Sequence, residues 1–194
     1  MNARNPSKTD ETLVAQARRG DTVAFDDLVI RYQDRVFNMS YRMLGNREDA
    51  MDVSQEVFVT VFRSIGRFQE RARFGTWLYR IIVNRCRDEL RRRVSVKHTR
   101  PASLSAGDGE PAARVGAGPV EQASARELQA LLERAIAELP EDVREVMVLR
   151  DTEDLAYEEI AAIVDVPVGT VRSRLNRART LLKERLAPLL EAES

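Results

Sequence analysis

The side chains most able to do chemistry lie near the C-terminus, on a basic segment that runs from Asp165 to Arg185. If a helix begins near Pro167, apolar residues fall on one face at spacings of four, three and four: Val171, Leu175, Ala178 and Leu182. The opposite face carries hydrogen-bond donors that suit base edges and phosphates: Thr170, Arg172, Ser173, Asn176 and Arg177. This segment therefore predicts a helix that reads DNA.

A shorter helix is predicted directly before it, over Asp154 to Val164, with apolar residues facing inward: Leu155, Ile160, Ile163 and Val164. Two helices joined by a tight turn, the second one basic, are typical of a helix-turn-helix. Asp165 stands in the turn where glycine is common, and aspartate tolerates the left-handed conformation. A solvated basic face on a helical bundle produces the same pattern. DNA binding therefore has to be inferred from this segment together with the rest of the chain.

Composition limits the classes of protein that the 194 residues can form. The chain carries one cysteine, Cys86, and one histidine, His98, so no internal disulfide and no metal site are expected. No apolar run is long enough to span a membrane, and the N-terminus has no secretory signal, which predicts a cytoplasmic protein. The chain also has no phosphate-binding glycine loop and no visible pairing of nucleophile and base. We therefore expect no enzyme, no cofactor and no small-molecule substrate.

Charge is distributed unevenly along a chain whose net charge is zero. Residues 60–100 hold twelve Lys/Arg against three Asp/Glu, a net charge of +9, and residues 165–185 hold six against two, a net of +4. The balancing acid lies in residues 138–164, with nine acidic residues against two arginines, a net of −7. Two separate basic zones indicate two separate contacts with nucleic acid. The overall neutrality predicts weak binding to DNA by the free protein.

The periodicity predicts an all-α protein with two small helical domains joined by a flexible linker. The domains are expected at residues 10–97 and 123–190, with the linker at residues 98–122. From Pro101 to Pro119, twelve of nineteen residues are Pro, Gly or Ala, a composition that cannot bury a core.

Four helices are predicted in the first domain. The first covers Glu11 to Arg19; Asp21 caps the second, which Gly45 ends, and Asn46 caps the third. The fourth helix begins near Phe74. The core face of the second is predicted from its apolar period: Phe25, Leu28, Val29, Tyr32, Val36, Met39 and Met43.

Packing does not explain two features of this domain. The third helix carries an exposed polar patch at Asp52, Gln55 and Glu56, for which a solvated face is the ordinary alternative. The loop from Gly66 to Arg73 and the fourth helix interleave aromatic and basic side chains: Phe68, Phe74, Trp77 and Tyr79 with Arg67, Arg71, Arg73, Arg80, Arg85 and Arg87. Such a mixture suits unpaired bases and their phosphates. Core burial is the alternative that we favour for Trp77 itself.

Three motifs in one order resemble a known family. The pattern DxxQExF matches at Asp52 through Phe58, WLYRIxxNxxxDxxR at Trp77 through Arg91, and PxGTVxSRLxRAR at Pro167 through Arg179. From about Asp10 to Leu186, the linker apart, the chain closely resembles the extracytoplasmic-function (ECF, group IV) sigma factors of the bacterial sigma-70 family.

The resemblance implies a factor that joins the large subunits of core RNA polymerase and directs it to −35/−10 promoters. Such a factor acts in a stress or envelope response under an anti-sigma factor. The first domain, sigma-2, would dock the polymerase through Asp52, Gln55 and Glu56. It would recognise and melt the −10 element, with unpaired bases held by Arg67, Phe68, Arg71, Arg73, Trp77 and Arg80, and the edge of the duplex lined by Asn84, Arg85 and Asp88. The second domain, sigma-4, would read the −35 duplex through Arg172, Ser173 and Asn176 and hold phosphates with Thr170, Arg174 and Arg177.

Two alternatives stay open on the sequence. One is a transcriptional repressor or response regulator of two domains with a LuxR-like helix-turn-helix, which predicts a ligand pocket or a phosphoacceptor aspartate at a strand end. The other is an enzyme. The chain shows no strand pattern, pocket signature or catalytic constellation for either.

Overall fold

The computed structural model describes residues 8–69, 73–99 and 130–191, and every regular element among them is helical. The first domain contains α1 (Asp10–Ala17), α2 (Thr22–Leu44), α3 (Arg47–Ser64), a short 3-10 turn (Ile65–Arg67) and α4 (Phe74–Thr99). The second contains α5, which includes residues 130–137, then α6 (Glu141–Glu153), α7 (Tyr157–Val164) and α8 (Val168–Glu191). The prediction of an all-α fold in two helical domains is confirmed.

The helix ends follow local capping chemistry. Asp21 Oδ1 accepts hydrogen bonds from the backbone N–H groups of Val23 and Ala24 at 3.0 and 3.1 Å, and Asn46 Oδ1 accepts one from Asp49 at 3.0 Å. Gly45 ends α2 in the left-handed conformation, with φ of 66°. The three predicted caps are thereby confirmed.

Two predicted boundaries were wrong. Helix α1 covers Asp10–Ala17 rather than residues 11–19, since Thr9 caps its start. Helix α7 begins at Tyr157 rather than at Asp154. Asp154 instead ends α6 in the left-handed conformation, with φ of 47°, so it cannot also start a helix. Asp165 takes the left-handed turn expected of it, with φ of 59°.

The first domain packs α2 against α1, α3 and α4 around a continuous apolar core. Leu28, Tyr32, Val36, Met39 and Met43 of α2 are buried as predicted, whereas Phe25 and Val29 are only half-buried at the edge. The core is completed by side chains of α3 and α4: Val53, Val57, Val61, Leu78, Ile82 and Val83. This packing fixes α4 as a long rod along one side of the domain.

In the second domain, α6, α7 and α8 pack on one another around buried apolar side chains. The apolar stripe predicted for α8 is confirmed, because Val171, Leu175, Ala178 and Leu182 are all buried. They meet residues of α6 and α7: Val143, Val146, Leu149, Ile160 and Ile163. This core holds α8 with its polar face turned outward.

The two domains also touch each other, through α2 and α6 and through α4 and α7. The predicted linker segment from Pro101 to Pro119 and the helix expected to resume near Glu121 lie outside the described residues. Among the described helices, none combines the length and apolar character that crossing a membrane needs.

Candidate nucleic-acid interface

The outward face of α8 presents the donors that the sequence predicts there. Arg172, Ser173, Asn176 and Arg177 are exposed and Thr170 is half-exposed. Ser173 Oγ donates to the backbone oxygen of Thr170 at 2.9 Å, which fixes its rotamer at the start of the helix. The N-terminal turns of the second helix of a helix-turn-helix are the part that enters the major groove. The geometry therefore leaves the donors of Arg172, Asn176 and Arg177 exposed near the start of the helix, while the Ser173 hydroxyl can still accept a hydrogen bond.

Arg174 differs from its neighbours on α8, because acidic side chains of its own domain already hold it. Its Nε lies 3.2 Å from Asp142 Oδ2, and its Nη1 lies 3.3 Å from Glu145 Oε1. The Glu145 side chain is only 6 % exposed. Arg174, which the sequence predicts to hold a phosphate, therefore links α8 to α6 within the second domain.

An aromatic cluster covers the start of α4. The ring centroids of Phe68 and Trp77 are 4.9 Å apart, those of Phe74 and Trp77 are 5.8 Å apart, and the Phe74 ring meets Tyr32 edge-on at 5.4 Å. Phe68 is 5 % exposed and Trp77 is half-buried. In this conformation the Phe68 ring supports the core, and no base can stack on its face.

The other predicted −10 residues lie at or near the surface of the first domain. Arg67, Arg73, Arg80, Asn84 and Asp88 are exposed, whereas Arg71 lies outside the described residues. Arg85 is half-exposed, and its Nη2 donates to Thr60 Oγ1 of α3 at 3.0 Å. Along α4, therefore, Arg80, Asn84 and Asp88 recur at four-residue spacing on one exposed side.

On α3 the predicted polar patch is exposed at Asp52, Gln55 and Glu56. The sequence interpretation missed two apolar neighbours: Val59 is 47 % exposed and Phe62 is 56 % exposed. Spacings of four and three residues place Gln55, Val59 and Phe62 on one side of the helix, so polar and apolar groups form one continuous stripe. An exposed apolar stripe with a polar end is typical of a surface that binds another protein.

A second set of residues missed by the sequence interpretation joins the two domains. Arg87 of α4 donates from Nε to Glu145 Oε2 at 2.9 Å and from Nη2 to Oε1 at 2.8 Å. These hydrogen bonds raise the pKa of Arg87. Arg144 donates from Nη1 to the backbone oxygen of Met43 at 2.5 Å, and its burial lowers the pKa of its guanidinium. No pattern in the sequence of α6 indicates which of its acidic residues meets an arginine of the first domain.

In the described part of the chain, no three His, Cys, Asp or Glu side chains form a group that could hold a metal ion. Cys86 is buried, and this burial raises the pKa of its thiol to about 12. The thiol therefore stays protonated at neutral pH.

Comparison with protein families gives two matches in sequence order. A model described as Sigma-70 region 2 matches residues 28–96, and a model described as Sigma-70, region 4 matches residues 129–182. The first match contains α3 and α4 as far as residue 96, and the second contains α7 and α8 as far as residue 182.

Curated relatives align with almost the whole chain. An RNA polymerase sigma-H factor from Pseudomonas aeruginosa is 37 % identical over 184 residues, which cover 93 % of this chain and 95 % of the relative. An ECF RNA polymerase sigma-E factor from Escherichia coli is 38 % identical over 189 residues, with 94 % and 96 % covered.

Solved structures share the fold. The structure of CnrH in complex with the cytosolic domain of CnrY matches with a TM-score of 0.63 and 28 % identity, over 95 % of this chain and 99 % of that one. The sigma factor RpoE of Bartonella quintana, solved with the anti-sigma factor NepR, matches with a TM-score of 0.70, 21 % identity and coverage of 84 % and 96 %.

Proposed function

This chain belongs to the extracytoplasmic-function sigma factors of the bacterial sigma-70 family, and we propose that its two domains divide promoter recognition between them. As a sigma factor it directs core RNA polymerase to promoters. The observation that carries the division is that the exposed row of polar side chains on α8 lies in the second domain, whereas the aromatic and basic face of α4 lies in the first.

The second domain reads the −35 element as duplex in this proposal. Arg172, Ser173 and Asn176 contact base edges, because their side chains point outward near the start of α8. Thr170 and Arg177 hold phosphates beside them. Arg174 contributes to the phosphate contacts only if it exchanges its partners Asp142 and Glu145 for the DNA backbone.

The first domain reads and melts the −10 element in this proposal. The unpaired strand follows the exposed cations of the loop and of α4, with the following residues in contact: Arg67, Arg71, Arg73, Trp77, Arg80, Asn84, Arg85 and Asp88. Phe68 supports this surface from beneath, since its ring is buried against Trp77. The physical basis is the combination of a phosphate-tracking cationic surface with a half-buried indole at its edge.

Core polymerase docks on the stripe of α3 in this proposal. The polar end of the stripe consists of Asp52, Gln55 and Glu56. The apolar part consists of Val59 and Phe62, whose exposed surface loses its contact with water when the polymerase binds. The large polymerase subunits are the expected partners.

We further propose that a protein inhibitor, an anti-sigma factor, controls the chain. The solved CnrH structure, which this fold matches over 95 % of its length, is a complex with a second protein, the cytosolic domain of CnrY. The proposal also includes a cytoplasmic location, no catalytic activity, and domain limits at residues 10–97 and 123–190 with a linker at residues 98–122. The relatives and family matches do not favour a repressor or response regulator.

Run-off transcription tests the function. Purified bacterial core polymerase is incubated with genomic DNA fragments, with and without the protein. The proposal expects discrete new transcripts whose upstream regions share −35 and −10 sequences. Absence of core binding and of transcripts, together with tight binding of the protein alone to duplex DNA, would support the repressor alternative instead.

A further inference from the structure

One arginine of α4 differs from those that follow it in the kind of group that holds it. Arg85 donates a hydrogen bond from Nη2 to the hydroxyl oxygen of Thr60 on α3, at 3.0 Å. The arginines further along α4 meet carboxylates instead: Arg87 meets Glu145, Arg91 meets Asp88, and Arg92 and Arg93 meet Glu89. Because a hydroxyl carries no formal charge, the contact with Thr60 holds the Arg85 guanidinium without neutralising it.

The Thr60 hydroxyl is itself held in one direction. Its Oγ1 donates to the backbone oxygen of Glu56, one turn earlier on α3, at 2.7 Å. A hydroxyl offers a single proton, so the one directed at Glu56 leaves the lone pairs of Oγ1 to accept from Arg85. The branched Cβ of threonine also restricts χ1 within a helix. Thr60 therefore presents a fixed acceptor to the neighbouring helix.

Core packing fixes the backbone on both sides of this contact. Helices α3 and α4 pack against each other. Val61 follows Thr60 on α3 and Cys86 follows Arg85 on α4, and the side chains of Val61 and Cys86 are buried in the apolar core. Thr60 and Arg85 are half-exposed, so their contact lies where this core meets solvent.

Arg85 lies beside residues of α4 that are proposed to meet the −10 element. Asn84 directly precedes it, Asp88 follows one turn later, and both are exposed. A guanidinium carries its donors in a rigid planar fork, so a hydrogen bond to one Nη restricts the direction of the others. A fork that is already oriented loses less conformational freedom when it binds a phosphate or a base edge.

We propose that Thr60 is a positioning residue for promoter recognition, because its hydroxyl holds the Arg85 guanidinium in the orientation that meets the −10 element. This inference rests on the proposed role of Arg85 at the −10 element and adds a residue of a different helix to it. Thr60 acts through Arg85 and makes no DNA contact of its own.

The proposed role separates Thr60 from the α3 stripe that is proposed to dock core polymerase. Thr60 directs its hydroxyl toward α4, as its hydrogen bond with Arg85 shows. Only the backbone oxygen of Glu56 takes part in this arrangement, and the Glu56 side chain stays exposed. Removing the hydroxyl should therefore leave core binding unchanged and affect only the later step at the promoter.

The test uses the full chain with substitutions at the two partners. Thr60→Val keeps the branched Cβ and the volume but removes the acceptor, whereas Thr60→Ser keeps a hydroxyl at the same place. Arg85→Ala removes the guanidinium, and the double variant Thr60→Val, Arg85→Ala completes a cycle. Ser54→Ala is the matched control, since Ser54 Oγ also donates to a backbone oxygen one turn earlier, that of Ala50 at 2.6 Å, and meets no arginine among the hydrogen bonds of the described residues.

The readout is the rate at which thymines near −10 become reactive to permanganate, on a promoter fragment identified by run-off transcription, with holoenzyme formed from core polymerase and each variant. Thr60→Val should slow this rate about three- to tenfold, as expected for one lost hydrogen bond to a charged group. Thr60→Ser and Ser54→Ala should behave as the wild type. The double variant should be no slower than Arg85→Ala, because Thr60 acts through Arg85.

Two equilibrium measurements separate positioning from a loss of structure. The Kd for core polymerase, and the Kd of each holoenzyme for a duplex that carries only the −35 element, should be the same for Thr60→Val and the wild type. A parallel loss in either Kd would assign the slower rate to a damaged fold and would overturn the proposal.

The kinetic result decides the role of Thr60. A Thr60→Val rate equal to that of the wild type would overturn it. So would a double variant slower than Arg85→Ala by the full Thr60→Val factor, since the hydroxyl would then act independently of the arginine. If the wild-type holoenzyme opened no thymines at all, the proposed function itself would be contradicted, and the positioning role would fall with it.

Discussion

The two faces proposed to bind nucleic acid differ in their accessibility. The face of α8 presents Arg172, Ser173 and Asn176 to solvent, and its apolar side is fully enclosed by α6 and α7. The face of α4 carries more arginines, but Arg80 and Arg87 are in contact with the second domain. A preformed helix is enough to read a duplex. Melting also needs a surface that can bind the single strand once the two strands have separated. The α8 face is therefore exposed in the structure, whereas two arginines of the α4 face are held by groups of the second domain.

Removing the support beneath α8 should have the largest effect. Leu175 is 1 % exposed at the centre of the second domain, so Leu175→Ala should lower the free energy of unfolding by about 2–5 kcal/mol. Urea denaturation followed by circular dichroism measures this loss. Leu181→Ala is the control. Because Leu181 is only half-buried, its substitution should lower the free energy of unfolding by less. Equal losses in the two variants would show that α8 does not depend on this core.

Arg172→Ala should damage the free face of α8 without affecting the fold. Arg172 is exposed, and losing one base-edge contact costs about 1–3 kcal/mol of discrimination. We expect less run-off transcript from promoters that depend on a −35 element and unchanged binding to core polymerase. The control is Lys183→Ala, which removes one exposed charge further along the same helix. If both variants lost the same amount of transcript, the loss would come from the removed positive charge and not from a lost contact to a base.

A Gln55→Ala, Glu56→Ala pair should weaken binding to core polymerase by about 1–2 kcal/mol at all promoters alike. The two side chains form the polar end of the α3 stripe. Fluorescence anisotropy with labelled protein measures the Kd. The matched control is Gln33→Ala, Asp34→Ala, an adjacent exposed pair of the same kinds on α2. If the Gln55→Ala, Glu56→Ala pair and Arg172→Ala lost core binding equally, the proposed division of roles between the domains would be contradicted.

The smallest expected effect concerns the covered side. Cys86 lines a small cavity between the domains with Met43 and Leu90 on one side and Glu141 and Arg144 on the other. Because burial raises the pKa of the thiol to about 12, it should react slowly with a disulfide reagent at pH 8. A thiol that reacts as fast in the folded protein as in urea would contradict the burial of Cys86.

Local chemistry made much of this fold predictable. Asp21, Gly45 and Asn46 mark helix ends by hydrogen bonding and backbone freedom, which depend only on near neighbours. The stripe from Val171 to Leu182 repeats at the helical period, so its burial follows from the sequence. The outward direction of Arg172 and Asn176 follows from the same period.

Long-range contacts could not be predicted in the same way. Phe68 stands beside arginines in sequence, as a base-stacking residue would, yet it packs on Trp77 and Phe74 because those rings come from the next helix. The contact between Arg87 and Glu145 joins residues 58 positions apart in sequence. Its geometry depends on how two finished domains meet, and no local pattern encodes that.

Chemical footprinting of a promoter complex tests the central claim most directly. With core polymerase, the protein should protect one duplex patch at −35 and make thymines near −10 reactive to permanganate, about two helical turns away. Without core polymerase it should produce no reactive thymines and only weak protection. Strong protection of both elements and open thymines with the protein alone would contradict the dependence on polymerase.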